Sequence, residues 1–84
     1  MEESREKIAL TLKPSYKPLQ HTLIDRGKKK QDLRDDLGLS PSTLAKLTNE
    51  KFVMLDIIAK ICQYLDCKIE EVVEFVPDAE TNDK

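Results

Sequence analysis

The chain has 84 residues, 36% of them charged, and a net charge of −2, which sizes it for one small domain with a modest core. Two glycines, four prolines and 5% aromatic residues argue against an all-β sandwich. No apolar run approaches the roughly 18 residues of a membrane span, and the polar start MEESREK leads into no signal-peptide core. The expected compartment is therefore the cytoplasm, with no membrane partner, and two cysteines in a chain with no secretion signal read as free thiols.

Residues 1–15 read as an arm. Ile8, Leu10 and Leu12 alternate with Ala9, Thr11 and Lys13, a strand-like period that Pro14 and Pro18 interrupt. The arm is either a disordered terminus or a short strand, and a strand this short needs a partner, such as its own copy in a dimer. Residues 16–77 read as the folded domain. A first helix over about 17–26 carries Leu19, Leu23 and Ile24 and ends at Gly27. Lys28, Lys29 and Lys30 lead into a second helix over about 30–37, whose Leu33 and Leu37 are four apart and share a face. Gly38 stands where a helix needs a left-handed residue to stop, and Leu39 is an apolar plug for the corner. Ser40 caps a third helix over 41–47, Pro41 occupies its first position, and Leu44 and Leu47 form its buried face.

Residues 48–53 form a loop. A fourth helix over about 55–65 has the amphipathic series Leu55, Ile58, Ile61, Cys62 and Leu65, preceded by Met54 where a hydroxyl cap is usual. After a turn at 66–68, the spacing of Ile69, Val72, Val73 and Val76 predicts a fifth, short helix over about 69–75, stopped by Pro77. The acidic, polar residues 78–84 read as a disordered tail. The expected fold is all-α: five short helices in a bundle, with a helix-turn-helix made by the second and third.

That pair of helices, in a small domain, most often inserts its second member into the DNA major groove. Net charge alone speaks against DNA, but its distribution does not. Residues 13–51 hold nine Lys or Arg against five acids, while residues 52–84 hold three Lys against eight acids. The positive half coincides with the motif, and phosphate attraction follows the local field.

LRDDLGLSPSTLAKL across the second and third helices, together with ICQYLDCKIEEVVEFVP at residues 61–77, resembles the Cro/repressor-type, lambda-repressor-like helix-turn-helix family and, within it, short bacterial members. The resemblance runs from roughly residue 16 to residue 77. It implies sequence-specific DNA binding and transcriptional regulation, commonly as a homodimer. It assigns structural roles to Leu33, Gly38, Leu39, Leu44 and Leu47, a phosphate grip to Lys30, and base and phosphate contacts to Ser40, Pro41, Ser42 and Thr43. Lys46 lies one turn further along the same side and is the one long donor there, able to reach guanine or a phosphate. Lys28, Lys29, Asn49 and Lys51 complete the expected phosphate contacts. Arg34 departs from the family pattern, which places a small residue right after the helix-two leucine; its stem can pack while its head reaches a phosphate or an acid.

Other chemistry is not expected. Cys62 and Cys67 lack the further ligands a structural zinc site needs, and Cys62 on an apolar face reads as structural. His21 reads as exposed, no nucleophile–His–acid set or glycine-rich phosphate loop exists, and the neighbours Asp35/Asp36 and Glu70/Glu71 point apart on a helix. The expectation is therefore no enzyme, no cofactor and no metal. The partners expected are double-stranded DNA and a second copy, joined through either residues 69–76 or the arm at 8–12. The rival expectation is a protein-interaction module, such as an antitoxin or a regulator that binds another repressor.

Overall fold

Four helices among the described residues form where local signals place them. The computed structural model describes residues 9–78. In chain order they form β1 (Leu12–Ser15), α1 (Lys17–Asp25), α2 (Lys30–Leu37), α3 (Pro41–Thr48), α4 (Leu55–Leu65), a 3₁₀ turn (Ile69–Glu71) and β2 (Glu74–Pro77). The tail at 79–84, and Ile8 with the rest of residues 1–8, lie outside the described residues.

Each boundary has a physical cause. α2 stops because Gly38 takes φ 72°, and its N–H closes on the Arg34 carbonyl. α3 starts at Ser40, whose hydroxyl accepts the Thr43 N–H at 3.2 Å. α4 starts at Leu55 without a side-chain cap and ends at Asp66, which adopts φ 54° without being glycine. There the Cys67 N–H bonds the Cys62 carbonyl at 3.0 Å, the six-to-one bond of a Schellman motif. The two half-buried thiols are the contact that accompanies this motif, and burial pushes both of them up from the usual thiol range. The Arg26 side chain donates to the Leu65 and Asp66 carbonyls at 2.8 and 3.2 Å, tying the end of α1 to the end of α4.

Leu19, Leu33, Leu47, Ile61 and Val72 are fully buried and join α1, α2, α3, α4 and the segment after α4 into one core. Thr22, also buried, donates from α1 to the Glu71 carbonyl at 2.7 Å. Among the described residues no helix is long and apolar enough to cross a membrane.

The fifth helix does not form. The chain makes one 3₁₀ turn over Ile69–Glu71, buries Val72, and then runs extended as β2. β2 pairs antiparallel with β1, with Leu12 opposite Pro77 and Ser15 opposite Glu74. The valines and phenylalanine of this stretch suit a pleated strand as well as an amphipathic helix, and the strand far away in sequence decides between them. The fold is thus a helical helix-turn-helix with a small two-stranded sheet, and not an all-α bundle of five helices.

The same pairing explains how β1 carries a proline. Asp78 donates to the Thr11 carbonyl at 3.0 Å, so these two form a hydrogen-bonded pair. Alternation along the register then leaves Leu12 with Pro77, and Pro14 with Phe75, at non-hydrogen-bonded positions. Both prolines therefore put their missing N–H on the outer edges of the sheet, where no ladder bond is lost.

Candidate nucleic-acid interface

The first turn of α3 gathers three hydroxyls. Ser40 Oγ lies 3.1 Å from Ser42 Oγ and 3.0 Å from Thr43 Oγ1 while it caps the helix. Ser40, Pro41 and Ser42 are exposed, and Thr43 is half-buried. Leu47, buried one turn beyond the half-buried Thr43, and Leu39 at the corner anchor the helix and leave Ser42 and Lys46 on its open side. Lys46 is exposed in the last turn.

The start of α2 adjoins the end of α3. The Lys29 N–H donates to the Asp32 carboxylate at 2.8 Å, which caps α2, and the Lys30 ammonium donates to Thr48 Oγ1 at 3.0 Å. Lys30, Gln31, Arg34 and Leu44 line an open groove of about 360 Å³ between the two helices. Helix N-termini present N–H groups and partial positive charge, which suit phosphate oxygens.

Residues 18–78 match the family model of the Cro/C1-type HTH DNA-binding domain. The chain belongs to this family. Among solved structures it is similar to the crystal structure of the transcriptional regulator VanUg (Form II), at 39% identity over 88% of this chain and 100% of that one, with a TM-score of 0.81. No curated protein matches it.

Within this Cro/C1-type domain, the expected contact residues fall into separate groups. Ser40, Pro41, Ser42, Thr43 and Lys46 all lie on α3 or its cap, and Lys30 joins them through Thr48. Asn49 ends α3, where its N–H bonds the Ala45 carbonyl at 2.8 Å. Glu50, at φ 58°, turns the chain, and Lys51 follows with an exposed side chain and a backbone held at both ends. Its N–H donates to the Lys46 carbonyl at 2.8 Å, and its carbonyl accepts the Tyr16 hydroxyl at 2.8 Å. Lys28 behaves differently. Its ammonium sits 5.3 Å from the centre of the Tyr64 ring on α4, a cation–π contact away from the α3 cluster.

Two neighbours of Lys30 fall outside the contact residues expected from the sequence: Gln31, which lines the groove, and Thr48, which accepts a hydrogen bond from the Lys30 ammonium. Gln31 offers an exposed amide beside Lys30, and the first turn of α2 was the available signal for it. Thr48, expected in the loop, instead extends α3 one residue beyond Leu47. Arg34 is exposed, lies along the groove, and pairs with its neighbour Asp35 at 3.2 Å, so the helix crossing does not have to bury it. Among the described residues no group of three or more metal-ligating side chains comes together.

Proposed function

We propose that this protein is a transcriptional regulator of the bacterial cytoplasm that binds double-stranded DNA as a homodimer on a near-palindromic operator. Copies of α3 lie in successive major grooves about 34 Å apart. The observation that carries this reading is the character of α3. It is anchored by Leu39 and Leu47 and turns short hydroxyls and one lysine outward. Ser42, Thr43 and Lys46 read base edges, with Lys46 the most selective because it alone is long enough to reach guanine from this face. Lys29, Lys30, Asn49 and Lys51 hold phosphates and fix the register. Ser40 and Pro41 bring the N-terminus of α3 to the backbone, and Lys28 adds to the local positive field from its seat against Tyr64.

Fluorescence anisotropy on the protein's own promoter region tests this. Affinity should fall steeply with salt, and Lys30→Ala should weaken binding on all sequences and lower the salt slope by about 1. Lys46→Ala with Ser42→Ala should cost about 1–3 kcal/mol per lost base contact and change the sequence preference. Unchanged affinity and preference in the double variant would sink the assignment. Absence of DNA binding, with tight binding to another protein, would favour an antitoxin-like interaction module.

A further inference from the structure

Large apolar side chains from four separate segments of the chain surround one cleft. Phe52 before α4, Leu55 at its start, Ile69 in the 3₁₀ turn and Phe75 in β2 form the rim, with Tyr16 and Ile58 on the floor. The rim residues are 50%, 69%, 47% and 62% exposed. The two phenylalanine rings lie 6.2 Å apart at 47° and brace each other. Met54, between Phe52 and Leu55, is also exposed. None of Ser40, Ser42 or Lys46 lines the cleft.

We propose that this cleft is the face on which two copies of the chain associate, an inference that rests on the homodimer reading above. Three observations select a second copy as the occupant. First, the area fits. With roughly 150–250 Å² for a large side chain, the exposed fractions leave on the order of 500 Å² of apolar surface open. That is at the upper end for a monomer and close to the non-polar share of a standard interface of about 800 Å² per partner. Second, the face is self-complementary. Leu55 and Phe75 protrude beside a recess of about 100 Å³, so a two-fold axis sets each copy's protruding side chains against the other's recess.

Third, the exposed charged side chains next to the rim in sequence are of both signs: Lys51 and Lys68 against Asp56, Glu70 and Glu74. Such a rim neither repels its own copy nor offers the uniformly basic field that nucleic acid or an anionic lipid surface selects. Pairing through the sheet edges is disfavoured, because Pro14 and Pro77 remove donors from both outer edges.

Sedimentation equilibrium of the full chain tests the proposal with three variants. Leu55→Asp puts a carboxylate in the first turn of α4, where the helix tolerates it well, and so disrupts the face without harming the fold. Phe75→Ser removes a rim side chain on a different element. Ile24→Lys alters an exposed apolar residue away from the cleft. Circular dichroism checks that each is folded, and Phe75→Ser decides if Leu55→Asp is not.

The expected result is a dimeric parent chain, dissociation constants raised at least about 30-fold in both cleft variants, and no change in Ile24→Lys. A dimer of unchanged affinity in the folded cleft variants would overturn the assignment of this face and leave the homodimer reading standing. A parent chain that stays monomeric in solution and binds DNA one copy per site would overturn both.

Discussion

The helix-turn-helix and the sheet end of the domain treat their apolar residues in opposite ways. In α2, α3 and the turn between them, Leu33, Leu39 and Leu47 are buried and most of what faces outward is polar. Around β2, Phe52, Leu55, Ile69 and Phe75 remain largely open. The first surface suits a polar, charged partner, and the second suits an apolar one. On the proposed reading the domain divides its contacts by chemistry, with hydroxyls and lysines offered to nucleic acid and aromatic and aliphatic side chains offered to a second copy.

The largest expected effect tests the buried side of this contrast. Leu33→Ala, at a fully buried position, should lose about 2–5 kcal/mol in chemical denaturation. Phe75→Ala, at an exposed one, should cost the isolated monomer less than about 1 kcal/mol. Similar costs at the two sites would erase the distinction between them.

A smaller pair compares two of the left-handed helix ends, at Gly38 and Asp66. A Cβ at Gly38 meets nothing within 4 Å, so Gly38→Ala should cost only the left-handed conformation, about 1–2 kcal/mol. Asp66 already bears that strain at φ 54°, so Asp66→Gly should raise the melting temperature, by up to about 1 kcal/mol of stability.

The smallest effect is a pH dependence that ties α2 to α4. Tyr64 donates its hydroxyl to Asp36, and this bond, with desolvation and the charges of Asp36 and Asp32, pushes the phenol up from 10.0 to about 12. The folded chain thus holds the phenolic proton more tightly than the unfolded chain. The bond's contribution is full below pH 10.0 and is lost as pH rises toward about 12. Tyr64→Phe should flatten the fall in melting temperature across that window, leaving the slope from Tyr16, which burial also raises.

Local signals made most of the helical part legible. α2 and α4 begin and end where caps, Gly38 and leucine spacing predict, and α1 and α3 differ from expectation by one residue each. What was not legible depends on distant partners. Ile69, Val72, Val73 and Val76 follow helical spacing, yet β1, some sixty residues earlier, draws the last of them into a strand. That pairing also joins Leu12, at the end of the arm, to the last residues of the domain in one sheet.

At the candidate interface, Ser40 was readable because capping is a local rule. The diversion of Lys28 to Tyr64 and the bridge from Lys30 to Thr48 were not, because each joins residues far apart in the chain.

The most direct test of the central claim is selection of bound sites from random DNA with the parent chain and with the Ser42→Ala, Lys46→Ala double variant. The account predicts that the parent enriches a two-fold symmetric sequence with half-sites one helical turn apart, about 34 Å, and that the double variant loses or alters that preference. No enriched sequence, or the same sequence enriched equally by both proteins, would contradict it.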